Sequence, residues 1–372
     1  MAAPTQAHFK NRRLLLKESE ADARERLRAF WAGSSLGRPV LLATVKGGPL
    51  PPLPAEEERF PNHKARQWDP QFIGECTDCL FTHTTQLWLG EALPWMGMGP
   101  ASCLGLPALL LGANYTDDGS NCWIEPLPNL YARPLPYFDP DLPPFARLRR
   151  AVQAQLDNVK GRAIVAPPIF LDPLTTLSLL RTPEQLCLDL VERPADVHRW
   201  RDALTDLSIR VYEWMYQLLL ANGHGEAGAF FALMAEGRME AAQCDFAVML
   251  SPAQYEEFVM PYLRRLTDYL DYSLYHLDGT CQMRFLDPLR TLPKLNGIQW
   301  NPEPPAGPPT RWLDALREIR RRKFILAVPC DTVDLAAEVT KALGPDGLAL
   351  FLPAFNSRDE AEQAIQRIQG VC

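Results

Sequence analysis

The chain has 372 residues, 47% of them hydrophobic and 22% charged, with a formal net charge of −7 at pH 7. That balance belongs to a folded globular protein and excludes global disorder. The negative net charge argues against a nucleic-acid surface, and no run reaches the roughly eighteen consecutive apolar residues of a membrane span.

Residues 1–20 are polar and charged without an apolar core, so no signal peptide is expected. The nine cysteines are an odd number and widely scattered, as in reduced cytoplasmic proteins rather than disulfide scaffolds. The expected compartment is the cytoplasm.

Residues 9–32 carry a helical pattern, with Leu14, Leu15, Ala21, Leu27 and Phe30 set among charges. A strand is predicted at 39–45. Residues 47–150 are irregular and rich in Pro, Gly and Trp, with an apolar run at 104–111. Proline clusters at 49–54, 126–144 and 302–309 read as rigid loops.

Beyond this region the rhythm becomes regular. A helix at 147–159 leads to a strand at 163–166, a short helix at 183–190 and a long one at 195–222. The long helix lines up Trp200, Leu204, Leu207, Val211, Trp214 and Leu218 on one stripe. A strand at 229–234 and a helix at 252–270 follow, with Ser251 as N-cap. Strands at 273–276, 297–300, 324–328 and 348–353 then alternate with helices at 283–292, 311–321, 333–343 and 358–368, the last capped by Ser357. The basic run at 320–323 closes a predicted helix, where cations complement the helix dipole.

Strands alternating with helices at this spacing imply βαβ units and a parallel sheet. No Gly-x-Gly-x-x-Gly turn follows any strand, so the expected fold is a (β/α)8 TIM barrel rather than a doubly wound sheet. The domain would cover 1–372, with an N-terminal helical extension at 1–38 and an irregular insertion or lid at 47–150.

In a parallel barrel, chemistry sits at the C-terminal ends of strands. The candidates on that rule are Glu236 and Arg238 after the 229–234 strand, then Gln243, Cys244 and Asp245. His276 follows with Asp278 and Cys281, then Trp300 and Asn301, then Cys330 and Asp331, then Phe355 and Asn356. His276 and Asp278 are one residue apart and can face the same side, where an imidazole and a carboxylate can move a proton or hold a metal. Glu236, Arg238, Asp245 and Trp300 are the expected substrate contacts. Elsewhere, Cys76-Thr77-Asp78-Cys79 forms a CxxC without a second pair at zinc spacing, and His83 stands nearby.

The segment Gln243-Cys244-Asp245-Phe246-Ala247-Val248-Met249-Leu250-Ser251-Pro252, continuing through Tyr255 to Pro261, resembles the uroporphyrinogen decarboxylase superfamily. So do Tyr275-His276-Leu277-Asp278-Gly279, Gly297-Ile298-Gln299-Trp300 and the ending Ser357-Arg358-Asp359-Glu360-Ala361-Glu362. The likeness covers about residues 160–370 and implies a (β/α)8 barrel. It also implies one of two chemistries, tetrapyrrole decarboxylation or corrinoid-dependent methyl transfer.

The decarboxylases grip substrate carboxylates with an arginine-rich N-terminal segment, whereas Arg38-Pro39-Val40-Leu41-Leu42 offers a single arginine. The methyltransferases bind zinc through His-x-Cys and a later Cys. His276 matches that histidine, Asp278 replaces the first cysteine, and no cysteine stands near Ala354-Phe355. The resemblance therefore implies a methyltransferase-like enzyme with His276 and Asp278 as zinc ligands. Cys281, Cys330 or Glu236 would complete the site, and a methyl-corrinoid or its carrier protein would be the partner. The alternatives are a metal-free lyase or decarboxylase acting on a small carboxylated substrate, and a non-catalytic binding barrel.

Overall fold

The computed structural model describes residues 17–46, 87–96, 110–117, 122–159, 163–167, 171–228, 232–301, 308–322 and 324–372. Cys76, Cys79, His83, the 49–54 proline cluster and most of the 104–111 run lie outside those residues.

The chain enters through α1 (Glu20–Trp31), which buries Ala23, Leu27, Phe30 and Trp31 on one stripe. Strand β1 (Val40–Val45) follows, then β2 (Leu87–Gly90), β3 (Trp95–Met96), β4 (Tyr115–Asp117) and β5 (Cys122–Ile124). Next come α2 (Pro143–Val159), β6 (Ile164–Val165), α3 (Pro173–Arg181), α4 (Pro183–Glu192) and α5 (Pro194–Ala221). Helix α3 is not apparent in the hydrophobic pattern because nearly all its residues are buried, which erases the polar face that periodicity relies on. Its start is marked instead by Asp172 as N-cap and Pro173 in the first turn.

Three short strands follow: β7 (Glu226–Gly228), β8 (Met234–Glu236) and β9 (Met239–Ala242). The strand expected at 229–234 is corrected here. β7 and β8 form an antiparallel pair, and the strand that joins the main sheet is β9, further along the chain. The sequence of β9, Met-Glu-Ala-Ala, has no local strand preference; its pairing with the next strand imposes the conformation.

Helix α6 runs from Pro252–Gln254 through a π-helical turn, Tyr255–Val259, into Met260–Tyr269. Its N-terminus is a capping box in which Ser251 and Gln254 bond reciprocally, as the Ser-Pro signature predicts. The remaining elements are β10 (Tyr272–Asp278), α7 (Leu286–Arg290), β11 (Gly297–Asn301), α8 (Leu313–Arg321), β12 (Ile325–Pro329), α9 (Val333–Leu343), β13 (Leu348–Phe351) and α10 (Arg358–Gln369). Ser357 caps α10 through the Glu360 amide, as expected.

The central sheet has seven strands in the order β2-β1-β13-β12-β11-β10-β9. All neighbours in it are parallel except β1 with β2. Its inner strands are buried almost throughout, as a parallel sheet requires. Among the described residues the sheet is not closed: β2 and β9 are its edges, and β3 with β6 forms a separate parallel pair. The fold is mixed α/β around a parallel sheet. No helix among the described residues is long and apolar enough to cross a membrane.

Parallel pairing gathers the C-terminal strand ends together. Asp245, Asp278, Asn301 and Cys330 follow or end adjacent strands at that edge. The N-terminal ends carry α1, whose Trp31 indole donates to the Met234 carbonyl at 2.9 Å.

Candidate functional site

β10 and β11 pair so that His276 lies beside Gln299, Leu277 beside Trp300 and Asp278 beside Asn301. Side chains alternate across a strand, so His276, Asp278, Gln299 and Asn301 share one face while Leu277 and Trp300 share the other. His276 Nδ1 is hydrogen-bonded to Gln299 Oε1. Asn301 Nδ2 donates to Asp278 Oδ1 at 2.9 Å. Each residue of the His-x-Asp pair is thus held by the amide next to it in the neighbouring strand. Asp278 is the last residue of β10, so both members ride on rigid strand rather than on a loop.

Asp245 opens the 3-10 turn after β9. Its carboxyl is pushed up to about 6, first by burial and then by the Asp172 carboxylate, while His276 draws it down and Asp278 adds a smaller upward push. Asp245, His276 and Asp278 are therefore one electrostatic unit. Asp172, fully buried, stands behind it. Its Oδ1 accepts from the amides of Leu174 and Thr175 at 3.0 and 2.9 Å. The Cys244 thiol, a weak donor, also interacts with this carboxyl.

Burial lifts the Asp172 carboxyl to about 6 against the pull of the Thr175, Cys244 and Leu174 hydrogen bonds. Thr175 Oγ1 accepts from the Phe246 amide at 3.2 Å, tying the start of α3 to the turn that carries Asp245. Behind Cys244, Gln282 donates to its carbonyl at 3.4 Å and accepts from the Tyr275 hydroxyl at 2.9 Å. Burial pushes the Cys244 thiol far up, with Asp172 adding to the effect, so it stays protonated.

The other expected contacts do not join this unit. Glu236 precedes β9 and lies at the N-terminal side of the sheet. There it accepts from Arg28 at 2.9 and 2.8 Å and from Arg24 at 3.3 Å. Arg238 begins that same edge, with its guanidinium on Glu213 at 2.8 and 3.1 Å and its amide on Asp271. Both were expected at the C-terminal end because a strand was assigned before them; the strand comes after them, which reverses the end they occupy. Trp300 is fully buried on the opposite face and packs edge-on against Trp312, with ring centroids 6.1 Å apart. It belongs to the helix-facing core.

The third-ligand candidates are equally dispersed. Cys281 is exposed. Cys330 is buried, and its thiol is pushed up to about 12 by burial and by Asp331, which opposes the thiolate a metal needs. Glu236 is at the far end of the sheet. Among the described residues no group of three or more His, Cys, Asp or Glu side chains could hold a metal ion.

Two residues of the site are missing from the sequence candidates, Asp172 and Gln299. Asp172-Pro173 is a helix-start signature that would have exposed the first. The second, like the pairing of Asn301 with Asp278, follows only from strand register, which a single sequence does not specify. No protein-family model matches the chain, and no curated protein matches it.

Proposed function

We propose that the chain is a metal-free acid–base enzyme, a lyase or decarboxylase of the uroporphyrinogen decarboxylase superfamily acting on a small molecule. The observation that carries this reading is the single electrostatic unit of Asp245, His276 and Asp278 at the C-terminal strand ends. It combines a carboxyl that exchanges its proton near neutral pH with an imidazole and a second carboxylate, both fixed by neighbouring amides. Asp245 is the proton donor, His276 the proton-transfer partner, and Asp278 orients the bound substrate.

A closed (β/α)8 barrel is part of the same proposal. From β1 through β13 to β9 the strand order is sequential, with the last strand beside the first. Right-handed crossovers that always advance in one direction place every helix on one face. The uncovered face of such a sheet is satisfied by curling onto itself, and the β3–β6 pair supplies strands for the gap.

The methyltransferase reading draws support from one feature, His276 and Asp278 on a common face where that branch carries its first two zinc ligands. The donor set falls short of a zinc site: the Asp278 carboxylate is an acceptable but harder ligand than thiolate, and no third donor converges among the described residues. The test is a screen for carbon dioxide release from small carboxylated compounds, with and without a chelator. Turnover that persists in chelator and falls at least about 100-fold in His276→Ala supports the reading. Turnover abolished by the chelator, or unchanged in His276→Ala, overturns it.

A further inference from the structure

An imidazole offers one nitrogen as donor and the other as acceptor, and its hydrogen-bond partners decide which. The Gln299 side chain is 3% exposed and next to His276 in register. Its Nε2 donates to the Trp300 carbonyl at 3.1 Å. A carbonyl can only accept, so the amide cannot be turned around without setting two oxygens against each other. That leaves Oε1, an acceptor, facing His276 Nδ1, and Nδ1 must carry the hydrogen.

We propose that Gln299 is a positioning residue that fixes neutral His276 as the Nδ1–H tautomer, making Nε2 the nitrogen that takes the proton in the site. The backbone of β11 is the ultimate reference: the Trp300 carbonyl orients the amide and the amide orients the ring. The two other described histidines are set the opposite way. His224 Nδ1 accepts from the Val165 amide at 2.9 Å. His198 Nδ1 faces an Arg201 guanidinium nitrogen at 3.0 Å while its Nε2 meets Glu257 at 3.0 Å. Both therefore carry hydrogen on Nε2.

The inference rests on reading His276 as the proton-transfer group, and the two fail separately. The tautomer is measured without substrate; that reading falls on the activity of His276→Ala. The experiment is two-bond 1H–15N correlation of the full chain labelled with 15N-histidine, at a pH where the rings are neutral. His276 is assigned by the signal lost in His276→Gln.

The expected result is an Nδ1–H pattern for His276 beside Nε2–H patterns for His224 and His198. Gln299→Leu moves His276 toward the Nε2–H pattern. The His224 signal stays unchanged in this variant, reporting an intact fold. An Nε2–H pattern for His276 in the parent protein overturns the proposal, whatever the variants do. So does an unchanged pattern in Gln299→Leu.

Discussion

Asp172 and Asp245 act on each other electrostatically, and among the described residues the principal interactions of neither include a guanidinium or an ammonium group. Burial raises both carboxyls, outweighing the hydrogen bonds to Asp172 and the pull of His276 on Asp245. For Asp172 the consequence for stability has a definite sign. Its carboxyl titrates at about 6 in the folded chain, against 3.8 without burial. Between those values the folded state holds a proton that the unfolded state has released. Its contribution to stability is full below about 4 and is lost as pH rises through 6, by up to about 3 kcal/mol. Asp172→Asn keeps an N-cap acceptor but removes the titration. The urea midpoint of the variant should fall less between pH 4 and pH 6.5 than that of the parent, and an identical fall in both would contradict the assignment.

At the same scale, the contacts of Arg238 are those of a structural residue. Its guanidinium is bidentate on Glu213 and lies 5.1 Å from the centroid of the Tyr216 ring. Burial opposes ionisation of Glu213, but the Arg238 and Tyr269 hydrogen bonds bring its carboxyl down to about 2. Removing the cation leaves that carboxylate in place without its main partner. Arg238→Ala should lower unfolding free energy by about 3 kcal/mol while leaving ligand affinity at the opposite end of the sheet unchanged. A loss of affinity without a loss of stability would return Arg238 to the binding site.

The elements differ in how far their own residues specify them. Val333–Leu343 is predicted and observed with the same bounds, because Thr332 caps it and Gly344 ends it. Strands β10 to β13 are legible as short apolar runs between turns. β9 is not, since Met-Glu-Ala-Ala takes its strand geometry from β10 alone. Misplacing that one strand is what put Glu236 and Arg238 at the wrong end, whereas His276 and Asp278 fall near the C-terminal end of β10 because that strand carries its own signal, although it runs two residues further than expected.

Register sets the other limit. Gln299 and Asn301 matter because of which residues lie beside them, and that depends on how closely β11 approaches its neighbours. Gly297 permits the approach to β12: a Cβ there would lie 2.4 Å from the Ile325 carbonyl oxygen. Gly297→Ala should destabilise the fold by about 2 kcal/mol and weaken activity at the far end of the strand. A thermal melt indistinguishable from the parent would mean that the strands are not packed this tightly.

At the scale of the molecule, one sheet separates two ends with different tasks. The N-terminal strand ends are bound up in ion pairs: Arg24 and Arg28 with Glu236, Arg24 with Glu226, and Arg238 with Glu213. These fasten α1 to the β7–β8 pair and α5 to the residue before β9. The C-terminal ends hold the imidazole and the buried carboxyls, and among the described residues the principal interactions of those carboxyls bring in no lysine or arginine. That division agrees with the proposed site at the C-terminal end of the sheet. The central claim is that this site moves protons without a metal. Its most direct test is the zinc content of the parent chain and of His276→Ala, after incubation with excess zinc and dialysis. The account predicts substoichiometric zinc, equal in the two proteins. One equivalent in the parent, lost in the variant, would contradict it.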